Sequence, residues 1–273
     1  MREFFILLKA RFILKMKYYF RYPLNIIFPL VDPIIWLSPM YFMGKAFEVN
    51  GEIRGFTAYT GNSDYMGFLI IGFMASTFVS TALWATGFTL KTEMMQGTLE
   101  ANWSAPIDKM AFLIGTALFQ FCEALFEIIL TMIICHFLFG FTITINLFRI
   151  LLYLIPGIIA IMGIGIGVAA LVLLMKDANT VIDLSNILVM GLSGANFPVK
   201  ILPKGMFFIS ILIPLTYLND SLRAIMINQE PFIDLKYQLL ILFVSMFAFY
   251  ILGRGIFMRV ERKCREKGML SGH

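Results

Sequence analysis

An all-α integral membrane protein with about six transmembrane helices is the fold class this sequence predicts, and three observations lead there. Of the 273 residues, 59% are hydrophobic and only 14% charged, with a mean hydropathy of +0.83. A soluble domain of that length needs far more polar surface. The apolar residues gather in blocks long enough to cross about 30 Å of hydrocarbon as helices. The basic residues collect at the two ends and in two short polar segments, the pattern of a positive cytoplasmic side. Length and composition indicate one polytopic domain, and the net charge of +5 reads as an orientation signal rather than a nucleic-acid footprint.

Residues 1–23 form the first unit. Phe5, Leu8, Phe12, Met16 and Tyr19 fall within one narrow arc at about 100° per residue, while Lys9, Arg11, Lys15, Lys17 and Arg21 lie outside it. This suits an amphipathic interfacial helix, apolar arc in the lipid and bases toward anionic headgroups. A polybasic tail without fixed conformation is the other reading. No small-residue cleavage site follows an uninterrupted apolar core, so a cleavable signal is not expected.

Residues 24–258 carry the spans. The first, Leu24–Phe47, contains Asp32 and is interrupted by Pro29, Pro33 and Pro39, which predicts a kinked helix. The net-acidic stretch Glu48–Asp64 reads as a short outer loop. The second span, Tyr65–Leu90, is rich in Gly, Ser and Thr, residues that let helices approach closely. The third, Met110–Phe139, holds Glu123 and Glu127 one helical turn apart, with His136 near its far end. After a turn at Gly140–Arg149, the fourth span, Ile150–Met175, carries Gly163 and Gly167 as a G-x-x-x-G pair able to seat another helix. A polar loop is expected at Lys176–Asp183, then a fifth apolar segment from Leu184. Leu235–Phe257 is the last span, and residues 259–273 form a basic tail.

Two stretches are richer than connectors need to be. Lys91–Lys109 (KTEMMQGTLEANWSAPIDK) predicts a helix, a break at Gly97–Thr98 and a second short helix outside the bilayer. A solvated connector fits the same residues. In Leu192–Asn228 the apolar runs Met206–Ile213 and Leu215–Leu218 are too short to cross separately, and Pro198, Pro203 and Pro214 break the segment. Such segments at membrane depth form re-entrant hairpins shielded by protein or lining a cavity. A lipid-facing surface loop is the alternative.

Both stretches resemble the ABC-2 type transporter permease family. The pattern E-x-x-x-G-T-L-E followed by a small residue and Pro (Glu93, Gly97, Thr98, Leu99, Glu100, then Ala105 and Pro106) is similar to that family's first cytoplasmic loop, the coupling helix that docks into the ATPase. Ser193, Gly194, Phe197, Pro198, Leu202, Pro203, Pro214, Leu215, Thr216, Tyr217 and Arg223 resemble its extracellular-side re-entrant hairpin between the fifth and sixth spans. The resemblance implies a permease subunit that moves substrate outward across the cytoplasmic membrane. It also implies two copies of a separate ABC ATPase subunit, holding ATP and Mg, and a second permease, identical or homologous. The first span lacks the L-G-x-x-W-type pattern of polysaccharide exporters and no large extracellular domain is inserted. That favours a drug, peptide, lipid-like or ion substrate.

Other chemistry finds no support. There is no G-x-x-x-x-G-K-[ST] for a P-loop, no H-E-x-x-H and no G-x-S-x-G, and His136 and His273 are the two histidines. Cys122, Cys135 and Cys264 are too scattered to suggest a disulfide framework or a metal site. No catalytic residue, cofactor or metal of this chain's own is expected. A secondary carrier or channel is the rival class, but such carriers often show matched inverted halves, and the Pro-broken hairpin has no clear counterpart in the first half.

Of the 22 Lys and Arg, seven fall on the outer side of this arrangement: Lys45, Arg54, Arg149, Lys200, Lys204, Arg223 and Lys236. The rest place both termini and the Lys91–Lys109 island in the cytoplasm. Asp32, Glu123 and Glu127 are the candidate translocation residues. A carboxylate at membrane depth costs roughly 2.5–3.5 kcal/mol, so each should face protein or water. A cation-attracting patch and a structural pair bonded to Ser, Thr or Tyr both fit.

Overall fold

The computed structural model describes residues 2–22, 24–50, 52–97, 109–140, 143–175 and 178–266. These residues are almost wholly helical. The elements are α1 (Arg2–Arg21), α2 (Leu24–Phe47), α3 (Arg54–Thr60), α4 (Tyr65–Met95), α5 (Lys109–Phe139), α6 (Leu147–Met175) and α7 (Ala178–Leu192). A 3-10 turn at Val199–Ile201 leads into α8 (Lys204–Ser210), α9 (Pro214–Met226) and α10 (Leu235–Glu266). Among the described residues, four helices are long and apolar enough to cross a membrane: α4, α5, α6 and α10. α8 and α9, bent by 85° between them, make a fifth if they count as one broken span.

α6 is the hub, packed most extensively against α10 and α4. The Gly163–Gly167 pair does seat another helix, and its partner is a glycine too. A Cβ on Gly253 of α10 would lie 2.0 Å from the Gly163 carbonyl oxygen. With hydrogens in place of side chains, the two backbones touch.

Three segments differ from the sequence-based expectation. The second span does not stop at Leu90: α4 continues unbroken to Met95, so the polar island begins as a rigid extension of a membrane helix. The polar loop expected at Lys176–Asp183 is helical from Ala178, because Ala178, Val181 and Ile182 are buried. Packing there outweighs the polarity of the neighbouring residues, and Lys91 Nζ donates to Asn179 Oδ1 at 2.9 Å to tie α7 to α4.

The third difference is α1. Phe12 and Tyr19 of its apolar arc pack on α5, while Met16 of the same arc is exposed. Phe12 and Tyr19 meet Phe119 edge-on at 5.6 and 5.9 Å. A Cβ on Gly115 would lie 3.1 Å from Leu8 Cα, so the missing side chain lets the helices close. Arg11, expected among headgroups, lies 3.6 Å over the Phe112 ring. Ile6, Leu14, Tyr18 and Phe20, outside the arc, are also exposed, so α1 is apolar on more than one side.

Candidate functional site

Three features carry the residues singled out by sequence. The first is an open-sided cavity of about 770 Å³ lined by α2, α4, α5 and α7. α2 contributes Asp32 and Trp36; α5 contributes Gln120, Glu123 and Glu127. On α4, Ser76, Ser80 and Trp84 recur every four residues and so present one stripe to the cavity. α7 closes the wall with Asn186 and Met190, and Ser80 Oγ bonds Asn186 Oδ1 at 3.3 Å. The three carboxylates expected along a path therefore line one space, although Asp32 and Glu123 lie 91 positions apart in the sequence. Glu127 is near enough to feel the charges of both Asp32 and Glu123, and Lys15 of α1 faces Glu123.

One fully buried side-chain atom in that wall has no partner. Ser76 is 3% exposed, and its Oγ makes no hydrogen bond. Thr77, Thr86 and Thr89 on the same helix each return their hydroxyl to the carbonyl four residues back, as membrane-embedded hydroxyls commonly do. Ser76 does not.

The second feature is the segment expected to be a hairpin. Pro203 precedes α8 and Pro214 is the first residue of α9, a position where the missing N–H costs nothing. Thr216 Oγ1 donates to the Ser210 carbonyl at 2.7 Å and Tyr217 OH to the Ile211 carbonyl at 2.8 Å, which fixes the bend. Arg223 is 2% exposed. Its Nη1 donates to the Gly194 carbonyl at 2.8 Å, its Nη2 to Ala195 at 2.6 Å and to Phe68 at 3.1 Å, and its guanidinium lies 3.3 Å over the Phe68 ring. Gly194 takes a φ of +70°, which a side chain would resist. Thus Gly194 and Arg223, two ends of the family-like pattern, form one clamp. Asn219 Nδ2 adds a 3.3 Å bond to the Ser193 carbonyl.

Asp220 was missed by sequence reasoning. Its carboxylate accepts from the Phe232 N–H at 3.0 Å and from Gln238 Nε2, while Ser221 Oγ donates to Gln238 Oε1 at 2.6 Å. The available signal was four polar residues, Asn219 to Ser221 and Arg223, crowded into a short helix amid apolar blocks.

The third feature is the start of the polar island. Glu93 sits on the last turns of α4, and Arg11 Nη1 lies 3.3 Å from its Oε1. Burial beside these groups pushes the Lys15 ammonium below its usual range, aided by the Arg11 charge and opposed by Glu93 and Glu123. Gly97 has a φ of +66°, and no described residue lies within 4 Å of where a Cβ would stand. Thr98, Leu99, Glu100, Ala105 and Pro106 lie outside the described residues.

A family model described as "ABC-2 type transporter" matches residues 2–227, most of the chain. No curated protein matches the chain.

Proposed function

Because this chain belongs to the ABC-2 type transporter family, we propose that it is the permease of an ATP-driven exporter and moves its substrate outward across the cytoplasmic membrane. The match over residues 2–227 is the observation that carries this reading. Two copies of a separate ATPase subunit supply the energy, and a second permease, identical or homologous, completes the pore. Six spans follow from counting α2, of 24 residues, and α7, of 15, with the four long apolar helices. Both termini are cytoplasmic, and α8–α9 re-enters the membrane from the outside.

Physical support comes from α4. A helix that runs from the membrane into the polar island without a break transmits force better than a loop does. Gly97 then ends the lever, and the segment beyond it docks into the ATPase. Arg11 braces the lever from α1. The cavity bounded by Asp32, Glu123 and Glu127 is part of the outward path.

Transport in inverted membrane vesicles tests the mechanism. Uptake should require ATP and persist after ionophores collapse the proton and sodium gradients. Uptake that follows the ion gradient and ignores ATP would favour a secondary carrier.

A further inference from the structure

We propose that the cavity between α2, α4, α5 and α7 binds an organic cation with an aromatic body as the export substrate, an assignment that rests on the permease reading above. Four observations converge on that chemistry.

Charge comes first. Asp32 from one helix and Glu123 and Glu127 from another line the same space. Lys15 is the basic neighbour of Glu123, and it is shared with Glu93. Three carboxylates against one shared ammonium disfavour an anion and attract a cation.

Size and surface come next. A cavity of about 770 Å³ falls within the range of sites for drug-sized molecules. A bare metal ion would need a tight cage of oxygen ligands and would leave most of this volume unused. Trp36, Phe73 and Trp84 line the cavity, and aromatic faces attract cations as well as flat apolar rings.

The last observation is Ser76. A hydroxyl buried to 3% exposure without a partner is costly unless something occupies the site. Thr77 beside it bonds the helix backbone and Ser80 bonds Asn186, whereas the buried Ser76 hydroxyl keeps a donor free for a ligand acceptor. The ligand is therefore a cation with an aromatic body and at least one hydrogen-bond acceptor.

Fluorescence anisotropy of rhodamine 6G, a cationic xanthene with an ester carbonyl, tests this on the full chain in lipid nanodiscs, with empty nanodiscs as background. Fluorescein, an anionic xanthene of similar shape, is the comparator. Saturable rhodamine binding is expected, with fluorescein at least about tenfold weaker. Glu127→Gln and Trp84→Ala should each weaken rhodamine binding about tenfold, and Ser76→Ala by about threefold. Asp32→Asn, on a different helix, gives a second charge variant should Glu127→Gln fold poorly. Equal binding of the two dyes, or unchanged rhodamine binding in a folded Glu123→Gln, Glu127→Gln double variant, would overturn the proposal. Binding needs no ATPase. Cation binding by a chain that copurifies with no ATPase from its native membrane would sink the permease reading alone, and a copurifying ATPase without cation binding would sink the substrate class alone.

Discussion

Arg223 reaches back 29 residues to donate to the Gly194 carbonyl at 2.8 Å, and the same guanidinium holds Ala195 and Phe68. One side chain thus fastens α9 to both the segment just after α7 and the first turn of α4. Arg223→Leu strips three buried carbonyls of a donor, each loss worth about 1–3 kcal/mol. Thermal unfolding in detergent should show the largest destabilisation for Arg223→Leu and a smaller one for Arg223→Lys, which keeps a single donor nitrogen and the charge. Equal melting of both variants and the parent would remove the clamp from the account.

The contact between α6 and α10 offers an internal control. A side chain at Gly253 meets the Gly163 carbonyl, whereas a Cβ at Gly255 meets no described residue within 4 Å. Gly253→Val should cost about 1–3 kcal/mol through overpacking. Gly255→Ala should be neutral or slightly stabilising, since alanine favours helix. Paired melting curves decide it.

At Gly97 the constraint is conformational. The φ of +66° disfavours a β-branched residue whatever the space around it. Gly97→Val should leave insertion intact while weakening ATPase docking or coupled transport, and Gly97→Asn should retain most of both. Normal coupling in Gly97→Val would contradict a role for the break. Glu100→Ala should also uncouple, measured as loss of stimulated ATP hydrolysis.

Arg11 and Glu93 are a half-buried pair joining the N-terminal helix to the lever. A double-mutant cycle with Arg11→Gln and Glu93→Gln should give a coupling energy of about 1 kcal/mol in stability. Strictly additive losses would mean that the two side chains act independently.

Topology is open to direct labelling. Single cysteines at Glu52 or Asn146, both exposed, should react with an impermeant thiol reagent in intact cells, and one at the exposed Asn179 should not. The native Cys122 is exposed and must be replaced first. A reversed pattern would invert the orientation.

Much of this architecture was legible because it follows from local composition. Long apolar blocks became α4, α5, α6 and α10, and prolines marked the starts of α8 and α9. The Ser193–Gly194 and Arg223 ends of the family-like pattern met in space. Packing partners were not legible. Nothing near Gly163 names Gly253 as its opposite. The bases on α1 looked destined for headgroups, yet Arg11 turned toward Phe112 and Glu93 because Gly115 lets the helices close. The polar residues of Lys176–Asp183 suggested a loop, but burial of Val181 and Ile182 made it helix. For Asp32, Glu123 and Glu127, spacing placed the two glutamates on one face, and only the fold joined Asp32 to them.

The central claim is that this chain is driven by a separate ATPase. Mild extraction of the tagged chain from its native membrane, followed by mass measurement of the intact complex, tests it most directly. The account predicts a P-loop ATPase in stoichiometric amount, two copies to two permease chains, lost or weakened in Gly97→Val. An intact complex that contains no ATPase and still transports along an ion gradient would contradict it.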